Sequence, residues 1–408
     1  MHPPPQARSG VDAVLHGLLK QSFGLFPEDL ATVTAALIEE HTTAEDPQLL
    51  LVDLDQTVLS ALDGSRSESV EWSAAGQAFR EQQPVWEHTV DGRRLWCPVL
   101  DSAERVAVLG VLGGEEVDVD DWLTLASLLG ELVVTKARYG DHLTNVRRRE
   151  SASIAAEMRW ALLPPLTFSS PEVAISGILQ PSYGVAGDAF DYSLRTGHAS
   201  VAVFDAMGHG LQASRVANLA VGALRAGRRS GLSGAELLLS VDETVGDAFG
   251  GDVFATAQIV DLDVDAGVAH VFTAGHPPPV QLRRQAEPMP ISVRPGLPLG
   301  LGPGAYEPTV VHLEPGDAIL MVSDGVYEAR SADGVQYGWD RMVGGVQEGL
   351  DAGDRSPEIL RRAIRSVIDF QSTARDDMTM ALVRWRPEVA GLPDPPSAEQ
   401  LHEADTSR

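Results

Sequence analysis

ASVAVFDAMGHG, residues 199–210, is a run of small and apolar side chains that stops on an aspartate and breaks into glycines. It reads as a strand ending at Asp205, with Gly208 and Gly210 forming a turn where backbone can approach a ligand closely. Helical periodicity takes over from Leu211 and runs to Arg228. A second helical stretch, Ser233 to Phe249, follows, and a third lies around Pro357 to Phe370. The other apolar runs are strand-like: VAISGIL (173–179), ATAQIVDLD (255–263), AHVFTA (269–274), AILMVSD (318–324) and MTMALVRW (378–385). Mostly consecutive strands with helices in pairs predict an α+β domain over 166–387, a β-sandwich flanked by helices.

Before that domain the pattern changes. Residues 1–10 are Pro-rich and are expected to be disordered, as is the tail 388–408, which has little to bury. VDAVLHGLLK and LATVTAALIEE carry apolar residues at helical spacing, and LLLVDLD, PVWEHTV, RRLWCPVL and RVAVLGVL read as strands, so 11–120 is expected to be an α+β module of sensory size. Its segment Gln48 to Leu112 resembles a GAF-type domain in the order strand, Asp-Gly turn, strand, strand along PVWEHTVDGRRLWCPVLDSAERVAVLGVL. Residues 121–165 are expected to form a linker or switch helix. Trp122, Leu125, Leu129, Leu132 and Val133 recur there at spacings of three and four. That stripe suits either pairing with a second chain, as a homodimer, or packing on the module's own sheet. SASIAAEMRWALLPPL then continues as a short helix stopped by Pro164 and Pro165, with Ile154, Met158 and Leu162 as its expected buried stripe.

Composition narrows the function. The chain has 408 residues, enough for two or three domains, and an apolar fraction of 44% with 22% charged residues fits globular packing. Its net charge of −27, from 31 basic and 58 acidic residues, argues against nucleic acid and anionic membrane as partners. The same field repels a phosphorylated substrate, so a phosphate site needs local positive charge, which bound divalent cations supply. Cys97, the single cysteine, lies between Trp96 and Pro98 and reads as a small buried hydrophobe. There is no signal pattern and no apolar window long enough to span a bilayer, so a cytoplasmic protein is expected.

Four acids carry the chemistry: Asp188 in AGDAFD, Asp205 in VFDAMGHG, Asp324 in MVSDGVYEAR and Asp376 in ARDDMT. Each ends or borders an apolar strand, and Asp188, Asp205 and Asp324 do so beside or near glycine. One such aspartate is usually a turn former. Four in one domain would repel each other unless cations compensated, and oxygen donors without cysteine favour Mg²⁺ or Mn²⁺ over Zn²⁺. A two-metal site can activate water and neutralise charge on phosphoryl oxygens.

At this point the chain resembles the metal-dependent PPM-type protein phosphatases, in the bacterial branch of the SpoIIE and RsbU phosphatases. The likeness runs from about Met158 to Trp385 on ordered segments: ALLPP, AGDAFD, DAMGHG, TAGHPPP, GLPLGLG, PGDAILMVSDGVYEAR and RDDMT. It implies a protein serine/threonine phosphatase with two Mn²⁺ or Mg²⁺ ions that hydrolyses directly through metal-bound hydroxide, without a phosphoenzyme. Asp188 would ligate the second metal, Asp205 would bridge both, the Ala206 carbonyl would complete the second site, and Asp324 and Asp376 would hold the first. Asp377 would assist through waters. The implied partner is a phosphorylated STAS-type anti-anti-sigma factor, with activity controlled by the N-terminal module through the helix ending in LLPP.

The chain departs from the family pattern in reading Ala186-Gly187-Asp188 for Gly-Gly-Asp, and Thr273 where Asn is usual before Ala-Gly-His. His209 suits either a general acid for the leaving seryl oxygen or a hydrogen-bonding role in its turn. His276 reads as a structural partner. Arg375 could meet a phosphate oxygen or pair with a neighbouring acid. No GxxxxGK[ST] loop or kinase motif is present. The competing reading is a catalytically silent phosphoprotein-binding scaffold.

Overall fold

The computed structural model describes residues 10–113, 118–184, 187–371 and 376–386. In the N-terminal part, α1 (Gly10–Ser22) and α2 (Leu30–His41) precede β1 (Glu45–Val52), β2 (Val58–Ala61) and β3 (Ser67–Ser69). Then come α3 (Ala74–Glu81), β4 (Val85–Thr89), β5 (Gly92–Asp101) and β6 (Glu104–Leu112). The six strands form one antiparallel sheet in the order β3-β2-β1-β6-β5-β4. The Asp-Gly turn falls where expected, with Thr89 paired to Gly92 across the β4–β5 hairpin. Cys97 is buried on β5, and burial pushes its thiol up to about 12.

The predicted switch helix is not one helix. α4 (Val119–Lys136) is followed by α5 (His142–Val146) and α6 (Ile154–Leu162). Trp122, Leu125, Leu129, Leu132 and Val133 do form a stripe, but it is buried in one core with α1, α2 and residues of β5 and β6. The stripe is spent within its own domain, so it offers no seam for a second chain. The expected stripe of α6 is also corrected. Ala155, Ala156 and Arg159 are its buried residues, Met158 and Leu162 are half-buried, and Ile154 is 71% exposed. Small side chains let α6 lie close to the next long helix, where the Ser214 hydroxyl donates to the Ala155 carbonyl at 3.3 Å.

The C-terminal part runs β7 (Thr167–Ser169), β8 (Val173–Gln180), β9 (Asp188–Arg195), β10 (His198–Ala206), α7 (Gly210–Arg229) and α8 (Gly234–Phe249). It continues with β11 (Ala255–Asp263), β12 (Val268–Ala274), β13 (Val280–Leu282), β14 (Met289–Pro290), β15 (Thr309–His312) and β16 (Ala318–Val322). α9 (Asp324–Glu328), α10 (Trp339–Ala352), α11 (Ser356–Phe370) and β17 (Met378–Trp385) complete it. Two antiparallel sheets, β15-β12-β11-β10-β9 and β14-β13-β16-β17-β8-β7, stack face to face. Between them lie Ile175, Phe190, Val203, Val260, Met321 and Val383. Outside the first sheet, Phe204 and Ile259 pack against Val221 of α7 and Val241 of α8. Outside the second, Leu320 and Leu382 meet Val346 of α10 and Ile364 of α11.

This four-layer order explains why the strands read as unbroken apolar runs. On β10, Val201 and Val203 face the other sheet while Ala202 and Phe204 face the helices. The period of two is present, but both faces need apolar side chains. α10 escaped the sequence reading because Gly344, Gly345 and Gly349 interrupt a stripe of Met342, Val343, Val346 and Leu350. The two halves touch through ion pairs: Arg105 of β6 donates to Glu358 at 2.9 Å and to the Pro357 carbonyl at 3.1 Å, and Arg361 of α11 reaches Glu71 at 2.9 Å.

Candidate active site

Strand register brings the predicted acids to one end of the sandwich. Asp188 opens β9 and Asp205 nearly closes β10, and the two are directly opposed in the antiparallel pairing. On the facing sheet, β16 ends at Val322, Ser323 caps α9, and Asp324 is that helix's first residue. Asp376 and Asp377 immediately precede β17, which pairs with β16. Acids distant in the chain therefore meet because both sheets end there.

Hydrogen bonds tie the two sheets together at this point. The Ser323 hydroxyl donates to Asp188 Oδ2 at 2.6 Å and accepts from the Thr379 amide at 2.9 Å. Gly325 has to be glycine: a Cβ there would stand 1.9 Å from the Asp377 carbonyl oxygen. Asp377 is engaged by protein groups on both carboxylate oxygens. Its Oδ1 accepts from Arg159 Nη1 at 2.9 Å, and its Oδ2 accepts from the Gly187 amide at 2.5 Å. The other Arg159 nitrogen, Nη2, donates to the Pro181 carbonyl. Sequence reasoning missed Arg159; the available signal was a charged residue inside the apolar helix IAAEMRWAL.

The electrostatics follow from burial and from the mutual field of the carboxylates. Burial pushes the Asp188 carboxyl well above its usual range, and Asp205 and Asp377 add to it. Asp205 rises to about 7, from burial first and then from Asp324, Asp376 and Asp377. Asp324 is also raised, by burial and then by Asp376 and Glu328. Asp377 rises too through burial, although Arg159 opposes the shift. The donors available at this end are carboxylates and the Ala206 carbonyl, hard oxygens that suit Mg²⁺ or Mn²⁺. Among the described residues no three acidic, imidazole or thiol side chains enclose an ion by themselves. Water would therefore complete any coordination shell, as small hard cations prefer.

The histidines separate clearly. His276 is buried, with Nδ1 2.7 Å from the Thr256 hydroxyl and Nε2 3.0 Å from the Val322 carbonyl. Burial lowers its pKa to about 4, so the ring is neutral; Nε2–H donates to Val322, and Nδ1 accepts from Thr256. It stitches β11 to the end of β16, a structural task. Thr273 keeps a hydrogen bond, from its hydroxyl to the His276 carbonyl at 3.0 Å. His209 is the N-cap residue of α7, is exposed, and makes no side-chain capping bond. Ala186 and Arg375 lie outside the described residues.

With this geometry in hand, similarity to known proteins can be placed. The family description Stage II sporulation protein E (SpoIIE) matches residues 195–386. The phosphoserine phosphatase RsbU of Bacillus subtilis is 24% identical over 237 residues, which is 58% of this chain and 70% of that protein. Among solved structures, the RsbU and RsbW domains of Rv1364c from Mycobacterium tuberculosis are 25% identical, covering 58% of this chain and 68% of that one, with a TM-score of 0.46. The SiaA-PP2C domain of Pseudomonas aeruginosa is 20% identical, covering 57% and 94%, with a TM-score of 0.47.

Proposed function

We propose that this chain carries a SpoIIE-family phosphatase domain of the PPM type and removes phosphate from phosphoserine or phosphothreonine on a partner protein. The observation that carries the reading is the gathering of Asp188, Asp205, Asp324 and Asp376 at one end of the sandwich. Arg159, a guanidinium near that group among the described residues, is committed to Asp377 and Pro181.

Asp188, Asp205, Asp324, Asp376 and the Ala206 carbonyl would hold two Mn²⁺ or Mg²⁺ ions. When bound, such ions make water acidic enough to attack phosphorus at neutral pH and offset charge on the phosphoryl oxygens. The chain's own groups do the rest. Ser323 fixes the Asp188 carboxylate, and Asp377 holds the Gly187 amide beside it. His209, exposed at the start of α7, would protonate a leaving seryl oxygen.

In this reading the partner is a STAS-type anti-anti-sigma factor and the setting is the cytoplasm; no helix among the described residues is long and apolar enough to cross a membrane. The N-terminal GAF-like module, 11–120, acts as the input. A route for its signal is α6, since Arg159 links that helix to Asp377 and through it to Gly187.

Turnover of a chromogenic phosphate ester is the direct test, with Mn²⁺ present, with Mn²⁺ chelated, and with Asp205→Asn. Metal-dependent turnover that the substitution abolishes supports an enzyme. Absence of turnover under every condition would leave the scaffold reading. A panel of phosphorylated STAS proteins from the same cell then identifies the substrate.

A further inference from the structure

We infer that an uncharged apolar rim beside the carboxylate cluster, formed by Met207, Leu211, Leu297 and Leu301, is the docking surface for the folded phosphoprotein substrate. This rests on the phosphatase reading and adds what the partner must present. The four side chains are 42%, 49%, 52% and 46% exposed, although soluble chains rarely leave large apolar residues grouped in this way.

Register places them at the reacting end. Met207 follows the Asp205-Ala206 strand end, and its amide donates to the Phe254 carbonyl at 3.0 Å. Ala206 pairs with Ala255, and Ala255 exchanges hydrogen bonds with Leu299 at 3.0 and 2.8 Å. The loop that carries Leu297 and Leu301 is therefore laid against the same end of the sheet as Asp205. Leu211 opens α7 directly after the glycine turn. Leu299, between the two exposed leucines, is fully buried and Gly300 donates to Asp242 at 2.7 Å, so the loop is anchored. Its outer side chains are held outward with no protein neighbour to cover them fully.

Charge points to the occupant. In a chain of net charge −27, residues 206–214 and 295–306 contain no Asp, Glu, Lys or Arg, and His209 is the one titratable side chain in the two segments apart from Tyr306. A phosphoprotein approaching this end is repelled by the molecule as a whole, and an uncharged rim is where contact costs least. A small phosphoester or a short peptide cannot cover four side chains spread over two loops and a helix start, whereas a folded domain with its own apolar patch can. The predicted partner feature is thus an apolar surface next to the phosphorylated serine.

The test compares substrates on the full chain with Leu297→Ser, Leu301→Ser and the Leu297→Asp/Leu301→Asp double variant, with Val90→Asp on the remote β4–β5 hairpin as control. Each single change is expected to lower kcat/KM for a phosphorylated STAS protein about tenfold, the double variant further, with para-nitrophenyl phosphate turnover within about twofold of the parent. Equal losses on both substrates would mean that the loop supports site assembly, and no loss on either would make the rim bare surface; each result overturns the proposal. So would a sedimentation shift from dimer to monomer in the double variant, which would assign the rim to a second copy. If the parent hydrolyses neither substrate with Mn²⁺, the phosphatase reading itself falls and takes the docking surface with it.

Discussion

Asp188 and Asp191 stand three residues apart on β9, both almost fully buried, and the fold treats them in opposite ways. Asp191 is gripped by Arg225 through Nε at 3.0 Å and Nη2 at 2.7 Å, and by Arg228 as well. Asp188 accepts from the Ser323 hydroxyl and sits in the field of other carboxylates. The same contrast flanks β16. Asp317, just before it, is clasped by Arg283 through two 2.8 Å bonds; burial alone would raise its pKa, yet those bonds hold it below the usual range. Asp324, just after it, is raised by burial and by Asp376. Asp191 and Asp317 are each matched by a guanidinium. Among the described residues Asp188 and Asp324 have no such partner, and in the proposed function cations from solution would supply the charge.

The sharpest way to break that contrast is to neutralise each β9 acid in turn. Asp188→Asn should lower ester turnover roughly a thousandfold by removing a cation donor, while raising the melting temperature of the metal-free protein because a poorly compensated charge is gone. Asp191→Asn should do the reverse, costing roughly 3 kcal/mol of stability by leaving two guanidiniums unanswered, with turnover per folded molecule unchanged. Melting curves and initial rates on both proteins decide it; matching behaviour of the two variants would dissolve the distinction.

Arg159 lies on the boundary, a structural arginine that reaches the end of the sandwich where the carboxylates gather. Arg159→Lys keeps the charge but loses the fork that spans Asp377 and the Pro181 carbonyl. Mn²⁺ affinity should fall about tenfold, read by calorimetric titration, with the sheet core intact by circular dichroism. An unchanged affinity would remove α6 as a route to the site.

The smallest effect is with pH. Asp205 rises from 3.8 to about 7 on folding, so in metal-free protein its contribution to stability is fully present below its unfolded pKa and is lost as pH climbs through about 7. A divalent cation competes with that proton, so Mn²⁺ affinity should move the other way, rising up to tenfold per pH unit through the same window. Titrations at about pH 6 and pH 8, paired with melting curves without metal, should show opposite slopes. A flat metal affinity would mean that Asp205 is already ionised before the cation arrives.

Much of this was visible in the amino-acid order, for a physical reason. Asp205 and Asp324 end apolar runs beside glycine, a local signature, and their runs are long enough to announce strands. What stayed hidden depends on partners far along the chain. The buried face of α6 could not be chosen because Ala155, Ala156 and Arg159 face inward against the usual rule, to let α7 come close and to deliver a cation to Asp377. The stripe on α4 was read correctly as a stripe, but periodicity says nothing about which surface covers it. α10 was masked by three glycines.

His276 joins the Thr256 hydroxyl on one sheet to the Val322 carbonyl at the brink of Asp324 on the other. Most of the candidate donors lie at strand ends, so their spacing is inherited from how two sheets are aligned rather than from any single loop. Anyone wishing to transplant this centre into another scaffold would have to carry across the alignment of both layers and the imidazole peg that locks it, because copying the short motifs alone would move the letters without the distances between them.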